Sequence, residues 1–307
     1  MKRLIILHFL FAISVLANAQ TIPKSIDKTE TPKTQKAPQK VVVKRKPDYI
    51  EKKKDSDADG VTDEIDECPD SKGTSKNNGC PEPELSTIKQ PEMVFIPGGS
   101  FAMGNETGFE REKFVHQVTV SSFYIGKYEI TQAQWESVMG YNPSEFKNCS
   151  SCPVENVSWN DIQKFLKKIN AVTGKNYRLP KEAEWEYAAK GGENYFYSGS
   201  NDLGEVAWHF RNSLLKTHPV GQKLPNGYSL YDMSGNVLEY CSDWYDENYY
   251  SNSPSTNPTG SSSGTSRIFR GGSWNRTGIE CRVFNRFGGH ALDRRIDEVG
   301  FRVVISD

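Results

Sequence analysis

Between Arg270 and Arg286 the chain reads RGGSWNRTGIECRVFNR, with one cysteine, Cys281, five residues beyond Arg276. A cysteine thiolate is both a nucleophile and a soft metal ligand, so Cys281 and the nearby Ser273 hydroxyl are the first candidates for catalysis. Three fates are open to Cys281: a disulfide with Cys241, a buried unpaired thiol, or a catalytic or metal-binding thiol. A second group of residues offers oxygen chemistry instead. In DSDADGVTDEIDECPD, Asp55, Asp57, Asp59, Asp63 and Asp66 fall at positions 1, 3, 5, 9 and 12 of a loop, with Gly60 at position 6 and the Val61 carbonyl at position 7. Hard oxygen donors at this spacing suit Ca²⁺, and a glycine at the sixth position permits the sharp turn. The last ligand is Asp rather than Glu, and no amphipathic helix flanks the loop, so a pair of EF-hand helices is not expected.

The elements that must position these residues lie in a chain of 307 residues with 38 basic and 39 acidic side chains. That balance gives no global field to attract nucleic acid, so a charged partner has to be met locally. Lys2 and Arg3 precede an apolar run from Leu4 to Leu16, and Ala17-Asn18-Ala19 follows. This is the layout of a secretory signal peptide over residues 1–19, which predicts an exported protein: periplasmic, cell-surface or secreted. The run is too short for a membrane span, no cysteine stands directly after the cleavage site to carry a lipid anchor, and no later segment is apolar enough to cross a bilayer. Export implies an oxidising compartment, in which the local pairs Cys68 with Cys80 and Cys149 with Cys152 are expected to form disulfides. A zinc or redox reading of NCSSCP is weaker, because no second ligand pair stands at metal spacing.

Residues 20–54 are rich in Lys, Thr, Pro and Gln and read as a disordered basic linker. From residue 91 to 307 the texture changes to dense aromatics with regular apolar spacing. VTVSSFYIGKYEIT alternates as strands do, VSWNDIQKFLKKINAVTG has helical spacing between Ser158 and Gly174, and KEAEWEYAAKGG follows Pro180 as a second helix. A loop rich in Ser, Asn, Pro and Gly runs from Tyr245 to Arg267, so the pattern predicts an α+β domain with few long elements. Within that loop, Gly260 to Gly264 matches G-x-S-x-G but lacks the strand-turn-helix context of a nucleophile elbow. His116, His209, His218 and His290 show no metal spacing. Arg282, Arg286, Arg294 and Arg295, with Phe284, Phe287 and Trp274, form either a face for an anionic ligand or internal pairs with Glu280, Asp293, Asp297 and Glu298.

Two resemblances bear on these residues. The run DxDxDGxxDxxDxCP with a later GCP resembles a thrombospondin type 3 repeat over residues 55–83, which implies a calcium-organised, disulfide-tied spacer. MVFIPGGSFAMG, CPVENVSW, YRLPKEAEWEYAAKGG, NGYSLYDMSGNVLEYCSDWY, RIFRGGSWN and GFRVV together resemble the sulfatase-modifying factor, or formylglycine-generating enzyme, domain. That resemblance covers residues 91–307 and implies a C-type-lectin-like α+β fold with low regular structure. It further implies a structural Ca²⁺ held by the side chains of Asp232 and Glu239 and the carbonyls of Gly235 and Val237. Active family members oxidise a substrate cysteine with copper(I) held by two cysteines, at the positions that here read Arg276 and Cys281. Leu238 and Tyr240 also stand where active members carry tryptophans. With one of two thiolates present, copper is not expected, and the resemblance implies a pseudoenzyme whose ligand is a protein, peptide or glycan of the cell envelope. Its oligomeric state is left open. The alternative is a formylglycine-generating oxidase with an atypical site.

Overall fold

A computed structural model describes residues 53–306; the expected leader and nearly all of the expected linker lie outside the described residues. The strand β1 (Met93–Ile96) is followed by β2 (Gly99–Met103), β3 (His116–Val120) and β4 (Phe123–Gly126). The helices α1 (Gln132–Met139), α2 (Trp159–Thr173), α3 (Glu182–Lys190) and α4 (Leu203–Val206) come next. Short strands complete the chain: β5 (Leu238–Trp244), β6 (Arg267–Arg270), β7 (Arg286–Phe287), β8 (Val299–Gly300) and β9 (Val304–Ser306). The architecture is α+β with much irregular chain, as the sequence predicts.

The strands form three small sheets, ordered β1-β4-β9, β2-β3 and β7-β6-β5-β8. Among the described residues only the β5–β8 strand pair is parallel, and the other strand pairs are antiparallel. Although only Ser121 and Ser122 separate β3 from β4, the two strands enter different sheets, β3 beside β2 and β4 between β1 and β9. One core gathers around Trp185, Phe123 and Ile268, and a second around Trp135, Phe165 and Phe301.

Helix α2 follows its sequence signals. The Ser158 hydroxyl accepts from Asp161 N at 3.1 Å while Asp161 Oδ2 accepts from Ser158 N at 3.0 Å, a reciprocal cap that satisfies two otherwise orphaned donors. Its apolar side chains Ile162, Phe165 and Ile169 are fully buried, and Gly174 closes the helix at φ +69°. Helix α3 departs from the one-sided pattern expected of KEAEWEYAAKGG. Glu182, Glu184 and Glu186 are buried as deeply as its apolar residues. They survive burial because arginines from distant strands reach them: Arg286 donates to both oxygens of Glu182 at 2.7 and 2.8 Å, and Arg270 pairs with Glu186.

The candidate cysteine lies just beyond β6. Gly271 (φ +90°) and Gly272 (φ +76°) turn the chain, and a Cβ at residue 272 would stand 2.6 Å from Cys281 Sγ. The GGS turn therefore exists partly to let that sulfur approach the backbone.

Candidate functional site

In the acidic loop the backbone folds back onto its own carboxylates. Asp55 Oδ2 accepts from Gly60 N at 3.2 Å, Asp57 Oδ1 from Asp59 N at 3.1 Å, and Asp59 from Val61 N at 2.8 Å and Gly73 N at 2.9 Å. Carboxylate oxygens of Asp55, Asp57 and Asp59 lie within 4.8 Å of one another. Asp55 Oδ1, Asp57 Oδ2 and Asp66 Oδ2 are buried without a hydrogen-bond partner. Desolvation, then repulsion from Asp59, Asp66 and Asp55, pushes the Asp57 carboxyl up. Converging lone pairs with no proton donor are the arrangement a hard cation relieves, so these residues fit Ca²⁺. Asp63 is engaged elsewhere: its oxygens accept from Ser56 N at 2.7 Å and Ser56 Oγ at 2.9 Å and pair with Lys54 at 2.9 Å. Val61 is buried beside the loop. The Cys68–Cys80 disulfide ties the segment that follows, as expected.

The stretch DMSGNVLE forms a second acidic centre. Asp232 adopts φ +56°, accepts from Gly221 N at 2.7 Å through Oδ2, and leaves Oδ1 buried and unpartnered. Burial is the main cause that pushes its carboxyl up to about 6. Glu239 accepts from Arg302 Nε and Nη2, both at 2.6 Å, and from Trp185 Nε1 at 2.7 Å. Gly235 N–H donates to the Gly271 carbonyl at 2.9 Å, which joins this centre to the GGS turn. Sequence reasoning missed Glu129, whose carboxylate accepts from Asn236 Nδ2 at 2.7 Å and Val237 N at 3.0 Å. Burial, then repulsion from Asp232 and Glu239, raises the Glu129 carboxyl well above its usual range, against the pull of Arg302. Three acids around one guanidinium, with an orphaned Asp232 oxygen, again suit a cation. The only sequence signal for Glu129 was a single acid between apolar residues in KYEIT.

Around Cys281 the structure corrects one expectation. Cys241 and Cys281 are both free and buried, so no disulfide joins them. Cys241 lies in β5 within the first core, whereas Cys281 packs on Gly272. Burial, then the charge of Glu280, pushes the Cys281 thiol up to about 12, against a hydrogen bond from the Ser273 backbone. The Ser273 hydroxyl is fully buried and donates to Glu298 Oε2 at 2.8 Å. Arg276 Nε donates to that same oxygen at 2.7 Å, and its Nη1 to Glu280 Oε1 at 3.2 Å. The position that would supply a second thiolate thus holds a cation tied to two carboxylates, and this pair of residues does not fit a copper(I) site. Beside it opens a surface cavity of about 550 Å³ lined by Tyr197, His209, Phe210, Arg211, Thr277 and Gly278. Cys149 and Cys152 are joined in the expected local disulfide.

The arginines expected near the C-terminus are mostly paired, though not with their sequence neighbours. Arg282 donates to both oxygens of Glu112 at 3.1 and 3.0 Å, Arg286 reaches Glu182, and Arg295 holds Asp161 at 2.7 and 3.0 Å. Arg282, Arg286 and Arg295 thus bind the fold together across long sequence separations, whereas Arg294 is exposed and forms no ion pair among the described residues.

Residues 79–307 match the model of the sulfatase-modifying factor enzyme 1-like domain. The chain belongs to that family. Similar members include chaperone protein LppX of Paenibacillus barcinonensis, 36% identical over 242 residues, covering 62% of this chain and 80% of the relative. The formylglycine-generating enzyme of Streptomyces coelicolor is 30% identical over 251 residues, covering 59% and 78%. Among solved structures, Treponema denticola variable protein 1 superposes with a TM-score of 0.67 at 32% identity, covering 70% of this chain and 95% of its own. PvdO from Pseudomonas aeruginosa gives 0.63 at 27% identity, covering 71% and 95%. The family therefore contains formylglycine-generating enzymes and proteins described by other roles. Among the described residues no helix is long and apolar enough to cross a membrane.

Proposed function

We propose that this chain is an exported, Ca²⁺-binding family member that has lost the copper oxidase chemistry and acts as a binding or scaffold module of the cell envelope. The observation that carries this reading is Arg276: at the place of one copper thiolate it is a guanidinium fixed by Glu298 and Glu280. An always-charged cation repels a metal cation, and the remaining thiol of Cys281 is buried and held protonated. The cavity beside Arg276 offers Phe210 and Tyr197 for apolar contact and Arg211 for an acidic group, which suits a peptide or glycan ligand. The Paenibacillus relative is described as a chaperone, in keeping with a role in binding another protein.

Calcium in this reading is structural. Asp55, Asp57, Asp59 and Asp66 with the Val61 carbonyl hold one ion in a spacer of the thrombospondin type 3 kind, and Asp63 closes the loop through Ser56. Asp232 and Glu239 with the carbonyls of Gly235 and Val237 hold another, next to Glu129. The test of the catalytic part is incubation with Cu(I), O₂ and a CxPxR peptide, followed by the mass of the peptide thiol. No change is expected. Turnover that depends on Cys281 overturns the proposal and favours the second reading, a formylglycine-generating oxidase with an atypical site, for which the names of several relatives argue.

A further inference from the structure

The two disulfides differ in their surroundings. Cys68 and Cys80 are shielded on both sides, 7% and 0% exposed. In the other pair Cys152 is 2% exposed, whereas Cys149 is half-buried, and both line a surface cavity of about 200 Å³ with Phe146, Lys147, Lys216 and His218. Neither Lys147 nor Lys216 forms an ion pair among the described residues. His218 Nε2 donates to the Ser213 carbonyl at 2.7 Å. Backbone hydrogen bonds hold the loop alongside its disulfide. Cys152 N bonds Cys149 O at 3.0 Å, Gln132 N bonds Cys152 O at 2.9 Å, Ala133 N bonds Ser150 O at 2.9 Å and Val220 N bonds Ser151 O at 3.0 Å.

From this geometry we infer that Cys149–Cys152 is a redox-active disulfide that oxidises a dithiol polypeptide, an activity separate from formylglycine formation. A substrate thiolate entering the cavity attacks Sγ of Cys149, the less buried of the two, a mixed disulfide forms, the Cys149–Cys152 bond breaks, and Cys152 leaves as thiolate and takes up a proton. The second substrate thiol, giving its proton to a base, attacks the substrate sulfur of the mixed disulfide and releases Cys149. Two electrons pass from the substrate dithiol to the cysteine pair; one proton ends on Cys152, the other on the base, and Cys149 is released as a thiolate. Lys147 and Lys216 supply the positive field that stabilises the Cys149 thiolate, and four backbone hydrogen bonds keep the loop in place when the bond opens. Disulfides that open onto a cavity and are flanked by cations exchange more readily than shielded ones, so the chain carries its own control in Cys68–Cys80.

The test uses the oxidised full chain in stepped glutathione redox buffers, with alkylation and mass spectrometry of each pair and circular dichroism to follow the fold. Cys149–Cys152 is expected to open in buffers about tenfold less reducing than those needed for Cys68–Cys80, with the fold intact. Cys152→Ser is expected to capture glutathione at Cys149, while Cys149→Ser leaves Cys152 unmodified. In the reduced protein, Lys147→Gln with Lys216→Gln is expected to raise the pH midpoint of Cys149 alkylation. A reduced dithiol peptide supplied in equimolar amount is expected to become oxidised. Opening of both pairs together, opening only on unfolding, or a peptide that stays reduced overturns the inference, and the measurements on the unmodified chain decide it even where a variant fails to fold.

Discussion

Replacing Arg276 by cysteine puts a second thiol beside Cys281 and tests the proposed loss of oxidase chemistry. The first consequence is structural. Arg276 loses its contacts of 2.7 Å to Glu298 and 3.2 Å to Glu280, at a site where its side chain is 31% exposed and those of its partners 14% and 23%. Solvent screening at that exposure discounts a buried-pair value to about 1–2 kcal/mol. For a domain of this size that is a loss of about 2–8 °C in melting temperature. The second consequence concerns the other thiol. With the Cys281 thiol at about 12, ionising it at pH 8 costs about 5 kcal/mol, because each unit is about 1.4 kcal/mol. Copper(I) affinity in the Arg276→Cys variant is therefore expected to be about four orders of magnitude weaker than for a pair of ionised thiols, and to rise about tenfold per pH unit between 7 and 9. Competition against a chromophoric Cu(I) chelator over that range reads the affinity directly. Tight stoichiometric binding that does not vary with pH refutes the reasoning, since it requires Cys281 already to be a thiolate.

Chelation with EDTA is expected to lower the melting temperature and to speed proteolysis within residues 55–81; a segment indifferent to chelator refutes the Ca²⁺ assignment of the acidic loop. Asp57→Asn removes a converging carboxylate whose Oδ2 is buried and unpartnered, so calorimetry is expected to show weaker Ca²⁺ binding and a smaller Tm gain on adding Ca²⁺. Asp243 is 2% exposed, and burial, then repulsion from Glu182, pushes its carboxyl up to about 7. The folded state thus favours the neutral acid: its advantage is complete below the unfolded value near ~4 and is lost as pH rises through about 7, a change on the order of 4 kcal/mol. Asp243→Asn is expected to flatten that slope in urea titrations at pH 5 and 8, and an unchanged slope counts against it. Glu182→Gln leaves the fully buried Arg286 without its carboxylate partner and is expected to destabilise by about 3–5 kcal/mol, seen in the urea midpoint.

The legible parts of this protein were those written in short-range chemistry. Helix α2 was readable because Ser158, Asp161 and Gly174 act within one or two turns, and the acidic loop because its ligands lie within twelve positions of one another. Helix α3 misled in one respect, since nothing local reveals that Glu182 and Glu186 are buried against Arg286 and Arg270, 104 and 84 residues away in sequence. Glu129 escaped notice for the same reason: its partners Asn236 and Val237 arrive from a distant loop.

By itself the sequence determined the α+β class, the family motifs, the local disulfides and the absence of a second thiol at Arg276. Those features depend on residue identity and near spacing. Only the tertiary structure decided that Cys241 and Cys281 stay apart, that Arg282 and Arg286 turn onto acids far away in sequence, and that Cys149 is the less buried residue of its pair. Each of these is a matter of which side chains share a low-dielectric interior, and burial, the quantity that sets both thiol ionisation and the strength of an ion pair, is created only when distant segments pack.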